Sequence, residues 1–128
     1  PIEAVRDHPI LRGIVPFQAA SWLYHVTPLQ GDCTPLLMGK AVNSNKQHQF
    51  DEYPRTQPVA WTKTHTTESG KKARVFFTTL GHPADFEVHD MRELLINGIY
   101  WALGMEEKIP PDGSKAETVG DYKAPETH

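Results

Sequence analysis

The segment 75–85 constrains the fold of this chain more than any other feature. Residues 75–80, Val-Phe-Phe-Thr-Thr-Leu, form a β-branched and aromatic run that is typical of a buried strand. The run ends in Gly81-His82-Pro83, and Asp85 follows just beyond. Ligands in open α/β folds bind in the crevice beyond the carboxyl ends of the strands. The pattern therefore predicts an α/β fold with a functional site at this strand end, and His82 is its first candidate residue.

Other strands and one helix are predicted around this segment. Alternating or continuous apolar runs predict strands over 21–29, 35–42, 58–65 and 73–80, and the last two are expected to form an antiparallel hairpin. Residues 91–103 are apolar around most of a helical circumference, which predicts a helix buried on more than one side. Asp90 is expected to cap this helix, with Glu93 completing a variant of the capping box, and Gly104 is expected to end it.

Two segments lack the pattern of either element. Residues 43–57 are predicted to form a polar loop. Residues 105–128 combine prolines with polar neighbours, so we expect an extended tail without a core of its own. The predicted organisation is a domain over residues 1–104 followed by a tail over 105–128.

These predicted elements do not complete an α/β domain. A parallel sheet needs helices on both faces, and a single helix leaves one face bare. The chain begins at Pro1, and Ile2-Glu3-Ala4-Val5 looks like the end of a strand already under way. We expect that further chain precedes Pro1, or that another subunit covers the bare face in a homo-oligomer.

Composition narrows the classes of partner. The chain has 128 residues, with 13 Lys and Arg against 16 Asp and Glu, a net charge of −3. This balance shows no basic stripe for nucleic acid, and no apolar run reaches the roughly 20 residues that cross a bilayer. Cys33 is the only cysteine, which excludes an internal disulfide but leaves cytoplasmic and exported locations both open. A half-buried thiol is the expected state of Cys33, because no neighbouring base would activate it.

Five sequence blocks, taken in order, resemble a known family. The chain looks like the C-terminal half of a ThuA-like (trehalose-utilisation-like) domain over roughly residues 5–104. Residues 43–57 and the loop over 64–72 depart from the family pattern, and both could reshape the rim of a pocket. The blocks are His8-Pro9-Ile10-Leu11-Arg12-Gly13, Leu23-Tyr24, Pro58-Val59-Ala60-Trp61-Thr62, the run from Arg74 to His82, and Asn97-Gly98-Ile99-Tyr100-Trp101-Ala102.

The resemblance implies a flavodoxin-like three-layer sandwich, related to class I glutamine amidotransferases, of which only the C-terminal portion is present here. It also implies a link to carbohydrate metabolism. In those amidotransferases a strand ends in His-Pro-Glu, and His82-Pro83-Ala84-Asp85 is similar, with the carboxylate shifted and shortened. Amidotransferase activity itself is not expected, because the nucleophile would lie in the missing half and the ThuA-like pattern is not known to keep that cysteine.

His82 and Asp85 are the predicted catalytic residues. An imidazole held by a carboxylate at one nitrogen is poised to accept a proton near neutral pH. The structural alternative is that His82 only caps the strand or the following turn. A second alternative places a metal ion on His82, Asp85 and His89, whose types suit zinc but supply no fourth ligand. No other cofactor is expected.

Four further residues are candidates for substrate binding: His8, Tyr24, His25 and Trp61. Tyr24 and His25 are neighbours on a predicted strand and should point to opposite faces. Trp61 and Trp101 could stack on a sugar ring, although each lies in an apolar run, which favours a core role for both. His48 and His65 occupy polar segments and are expected to face solvent.

The function that this pattern favours is the handling of a small carbohydrate or polyol, by binding or by acid–base chemistry at the strand end that carries His82. The alternative is a non-catalytic module of the same fold that binds a sugar or a protein. The substrate, the compartment and the oligomeric state stay open.

Overall fold

In the computed structural model, residues 1–42, 47–49 and 52–126 are described. They form an α/β domain with one three-stranded antiparallel sheet, one α-helix and short 3-10 helices. The strands are β1 (Cys33–Lys40), β2 (Thr56–Thr66) and β3 (Lys72–Thr78), and the helix is α1 (His89–Ala102). The 3-10 helices span Glu3–Val5, Pro9–Leu11, Gln47–Gln49, Pro83–Glu87 and Glu106–Lys108.

The sheet has the order β1-β2-β3, with β2 in the centre. Trp61 on β2 lies opposite Pro35 on β1 and Phe77 on β3. The predicted strands over 35–42, 58–65 and 73–80 are therefore confirmed, as is the antiparallel hairpin of the last two. The predicted polar loop over 43–57 lies partly outside the described residues, and its last two residues belong to β2.

The predicted strand over 21–29 is wrong, because this segment joins no sheet. The apolar residues of this segment do alternate as in a strand. Its backbone N–H groups, however, donate to side chains and not to a neighbouring strand. The N–H of Ser21 donates to the Asp85 carboxylate, and the N–H groups of Val26 and Thr27 donate to Oε1 of Gln57. Pro28 has no N–H to offer a sheet partner. The segment instead crosses the sheet as an irregular strap.

The helix is confirmed, but its predicted cap is wrong. The N-cap position is Val88, which makes no side-chain hydrogen bond to the helix end. Asp90 lies inside the first turn, and its carboxylate accepts a hydrogen bond from the N–H of Val15 at 3.0 Å. A capping box does exist one element earlier, at the 3-10 helix that His82 and Asp85 begin. Gly104 follows the last turn with φ of 70°, as expected of a residue that ends a helix.

The helix α1 packs on one face of the sheet. Gly98 lies directly against the ring of Phe76 on β3, with no room for a side-chain carbon. On the other face, Val75 is 39% exposed and Phe77 is 49% exposed. The helix was expected to be buried on more than one side, yet Ile99 is exposed. The core is Ile10, Leu11, Ile14, Leu36, Leu37, Val59, Ala60, Met91 and Leu94.

The segment after α1 packs against its own chain. Ile109 and Ala116 are buried, and the carbonyl of Ala116 accepts from Nε of Arg92 at 2.8 Å. Nη1 of Arg12 donates to the carbonyl of Ile109 at 2.8 Å. The expected tail therefore has almost no regular structure of its own but contributes side chains to the packing around α1. The boundary at residue 104 stays a prediction.

The observed architecture differs from the expected parallel sheet. The strands of the described part run antiparallel, with a helix on one face, so a flavodoxin-like arrangement is not found among these residues. Consecutive strands pair directly as antiparallel neighbours in this sheet, whereas parallel neighbours would need crossover connections. Within the described ranges, no helix has the length and apolar character needed to cross a bilayer.

Candidate functional site

The end of β3 carries His82, as predicted, and fixes its imidazole. Nδ1 of His82 accepts a hydrogen bond from the N–H of Ala84 at 3.1 Å, which caps the following 3-10 helix. Pro83 occupies the first helical position, where its missing N–H leaves no bond unmade. Because Nδ1 is the acceptor, the neutral ring carries its proton on Nε2. In this tautomer, Nε2 of His82 is a hydrogen-bond donor.

Asp85 is fully buried and holds backbone rather than the imidazole of His82. Its carboxylate accepts from the hydroxyl and N–H of Ser21 and from the N–H of Ala20 at 2.6 Å. It also accepts from the N–H groups of Gly81 and His82 at 2.9 and 3.1 Å. Burial acts to raise the pKa of Asp85, but the hydrogen bonds from Ser21, Gly81 and Ala20 outweigh it and lower the pKa.

The predicted relation between His82 and Asp85 needs a correction. The expected carboxylate–imidazole contact is replaced by a carboxylate–backbone contact, because the capping box turns the Asp85 oxygens toward the N–H of His82. No three His, Cys, Asp or Glu side chains in the described residues gather as metal ligands, and the alternative metal triad of His82, Asp85 and His89 stays a prediction. A catalytic role for His82 and Asp85 stays a prediction.

His8 lies in a different place and repeats the local geometry of His82. Its Nδ1 accepts from the N–H of Ile10 at 3.2 Å, again ahead of a proline. Its ring packs on Trp101 with 5.4 Å between centroids. Burial lowers the pKa of His8, the charge of Arg74 lowers it further, and Glu106 acts in the opposite direction. The structure therefore separates His8 from the other predicted site residues.

Three of the four predicted binding residues do meet, in a groove on the sheet face opposite α1. We call this the aromatic groove, and its volume is about 600 Å³. The later part of the strap and Gln30 form one wall, and the outward side chains of β2 and β3 form the floor. Its polar and aromatic lining consists of Tyr24, His25, Gln30, Trp61, Lys63, Phe77 and Thr79.

The floor of the aromatic groove is an aromatic pair. Trp61 and Phe77 stack with 4.7 Å between ring centroids and 22° between their planes. Trp61 is 9% exposed, so most of its surface serves the core, whereas Phe77 is half exposed. Tyr24 is 56% exposed and His25 is also exposed, although a strand would have buried one of them. The groove therefore offers several aromatic surfaces to a ligand.

Thr79 supplies an unsatisfied polar atom in the same groove. Its Oγ1 is buried and has no hydrogen-bond partner among the described residues. A buried hydroxyl without a partner costs free energy, and a bound hydroxyl or water would remove that cost.

Sequence reasoning missed the residues that hold the strap in place. Gln57 is 2% exposed, and its Oε1 accepts from the N–H groups of Val26 and Thr27 and from the Thr27 hydroxyl at 3.1, 3.3 and 3.1 Å. Ser21 was missed as well, although it links the strap to Asp85. The signal for Gln57 was a polar residue directly before the apolar run Pro58-Val59-Ala60-Trp61. Ser21 gave no comparable signal.

A further histidine–carboxylate contact occurs on α1. Nδ1 of His89 lies 3.4 Å from Oε2 of Glu93, one helical turn away. The Glu93 carboxylate packs directly against Gly13 and Gly113. A side-chain carbon added at either glycine would collide with it. Burial raises the pKa of Glu93, and the charge of His89 acts in the opposite direction. The other sequence expectations hold in outline: Cys33 is half-buried and unpaired, and His48 and His65 are exposed.

The comparisons with known proteins give one result. The model of the family described as ThuA, trehalose utilisation, matches residues 2–102. Neither the search of curated proteins nor the search of solved structures found a match. The match covers most of the chain and includes β1, β2, β3 and α1, so this protein belongs to the ThuA (trehalose utilisation) family.

Proposed function

We propose that this ThuA-family domain binds a small carbohydrate or polyol in the aromatic groove. The single observation that carries the proposal is the combination of the stacked Trp61–Phe77 floor with the unpartnered hydroxyl of Thr79. Sugars present apolar C–H faces beside hydroxyl groups, so they suit a site with flat aromatic rings and buried polar atoms. Gln30 and His25 add donors and acceptors along the wall.

Binding is favoured over acid–base chemistry at His82 by the geometry of the β3 end. Nδ1 of His82 is engaged with Ala84, and the Asp85 oxygens are engaged with backbone and Ser21. A general base needs a free acceptor nitrogen within reach of the proton that it removes. The neutral His82 ring presents a donor at Nε2 instead. We therefore place the ligand in the aromatic groove. The role that we give His82 is to cap the 3-10 helix that follows β3.

The test is a titration of the 128-residue chain with trehalose, glucose and sorbitol, followed by calorimetry and by NMR. Phe77→Ala removes most of the exposed aromatic floor and should weaken binding about tenfold. Val75→Ala is the matched control, because Val75 lies on the same face of the same strand but does not line the groove. Binding that survives Phe77→Ala unchanged, or that Val75→Ala weakens equally, contradicts the proposed site.

His82→Asn tests the acid–base alternative. Asn supplies a capping acceptor in place of Nδ1 but cannot transfer a proton near neutral pH. The binding proposal expects unchanged ligand affinity and no turnover in either protein. If the unaltered chain turns over any of these sugars and His82→Asn abolishes that turnover, the result would favour the catalytic alternative.

We also propose that the domain contributes to a flavodoxin-like sandwich of the class I glutamine amidotransferase type, as the resemblance implies. The exposed apolar side chain of Val75 supports a further layer, from more chain or from another subunit, beside the aromatic groove. Ligand sites often lie where such layers meet. An experimental structure of the natural protein tests this, and solvent over Val75 in that structure would contradict it.

A further inference from the structure

We infer that the ligand of the aromatic groove carries an anionic group, a phosphate or a carboxylate, which the ammonium group of Lys63 binds. This inference rests on the proposed function and narrows its ligand class from carbohydrates and polyols in general to acidic ones.

Lys63 lies on β2 between the two edge strands, opposite Cys33 on β1 and Val75 on β3. It is half-buried and lines the aromatic groove two residues along the strand from Trp61. Side chains two apart on a strand share a face, so Lys63 and the aromatic floor face the same ligand. The end of the Lys63 side chain passes close to Gly31. A side-chain carbon added at Gly31 would lie 3.2 Å from Nζ of Lys63.

The ammonium group of Lys63 makes no ion pair with the residues that the structure describes. No hydrogen bond to it is found among these residues, and no Asp or Glu of theirs lines the aromatic groove. Arg74 on the next strand shows the usual arrangement, since its guanidinium makes a two-pronged bond to Glu106 at 2.8 and 3.1 Å. A half-buried cation gains from a paired anion because the surrounding protein screens less than water does.

The other groove features complete a site for an acidic sugar. The aromatic floor takes the C–H face of the ring, and the unpartnered Thr79 hydroxyl, which is buried in the unliganded groove, reaches a sugar hydroxyl after rotation of its side chain. Lys63 adds a point charge that suits a phosphate or a carboxylate equally. Charge complementarity thus selects an oxyanion-bearing sugar over its neutral parent.

The experiment compares glucose, glucose 6-phosphate, glucuronate and inorganic phosphate as ligands of the 128-residue chain. We expect both acidic sugars to bind about tenfold more tightly than glucose, with an advantage that shrinks as salt is added. Of the two, the tighter identifies the preferred oxyanion. Inorganic phosphate should bind more weakly than glucose 6-phosphate, because it lacks the ring.

Lys63→Met keeps the apolar stem and removes the charge, so it should abolish the advantage of the acidic sugars over glucose. Lys63→Arg should retain most of the advantage. Lys40→Met is the matched control, because Lys40 lies on β1 outside the aromatic groove and should change nothing. Thermal melting of each variant checks that the fold is intact.

The outcomes separate this inference from the proposed function. Equal affinity for glucose and glucose 6-phosphate overturns the anionic preference. An advantage of the acidic sugars that survives Lys63→Met in a folded protein overturns its assignment to Lys63, and neither result touches the proposed function. Absence of binding by every sugar, neutral and acidic, overturns the proposed function. Inorganic phosphate that binds as tightly as glucose 6-phosphate, in a protein that does not bind glucose, shows a plain anion site and overturns both.

Discussion

The carboxylate of Asp85 binds the hydroxyl of Ser21, and this contact ties the end of β3 to the strap that crosses the sheet. The same hydroxyl accepts from the N–H groups of Gly81 and His82, each at 3.0 Å. Residues separated by about sixty positions are thus joined by one buried polar network. Networks of this kind are costly to break because each broken bond leaves a buried donor unmet.

Asp85→Asn should lower the free energy of unfolding by about 2–4 kcal/mol, because an amide nitrogen would face backbone donors where a carboxylate oxygen accepted them. Ser21→Ala, which removes only the hydroxyl, should cost about 1–2 kcal/mol. Urea unfolding of both variants measures these values. An Asp85→Asn protein as stable as the parent would show that the buried charge contributes nothing.

The contribution of Asp85 should also depend on pH. Its pKa in the folded protein is lowered, so its stabilising effect is complete above the ordinary aspartate pKa of about 4 and is lost as the pH falls through the lower folded value. The stability gap between the parent and Asp85→Asn should therefore be constant from pH 7 to pH 5 and close below pH 4. A gap that widens on acidification contradicts the assignment.

His8 should make the fold less stable at mildly acidic pH. Its folded pKa is lowered by burial and by Arg74, so the unfolded chain takes up a proton at higher pH than the folded protein does. Stability should fall as the pH drops through about 6.5 and level off below the folded pKa. His8→Asn keeps a capping acceptor for Ile10 and should remove this part of the pH dependence. Urea unfolding between pH 8 and pH 5 compares the two slopes.

Gly98→Ala should destabilise the domain although alanine favours helices. The added carbon would collide with the ring of Phe76, and overpacking of a core costs about 1–3 kcal/mol against a helix gain of about 1 kcal/mol. Ile99→Ala is the control on the exposed side of α1, with a change expected within about 0.5 kcal/mol. Thermal melting of the two variants decides, and a Gly98→Ala protein more stable than the parent would contradict the packing.

Gln57→Met should loosen the strap without removing any groove residue. Methionine fills a similar space but leaves the donors of Val26 and Thr27 without their acceptor, at a cost of about 1–3 kcal/mol. Because the strap forms one wall of the aromatic groove, ligand affinity should fall as well. NMR shifts of the strap residues would separate a displaced wall from global unfolding, and an unchanged affinity would argue against a positioning role for Gln57.

The amino-acid sequence determined the elements whose pattern is local. The apolar runs over 35–42, 58–65 and 73–80 became strands and the long apolar segment before Gly104 became α1, because strand and helix periodicity require no distant partner. It also indicated the family, since the order of several short blocks is a property of the chain alone.

Only the tertiary structure decided that the strap does not pair as a strand, and only the tertiary structure decided the geometry of the site. The strap has the alternation of a strand, yet Gln57 and Asp85 bind its donors from distant positions. His82 and Asp85 are close in sequence, but the capping box directs the carboxylate to backbone rather than to the imidazole. Tyr24, His25 and Trp61 meet because the strap folds over β2. Such choices depend on which long-range donor meets which acceptor, and that is settled only when the chain has packed.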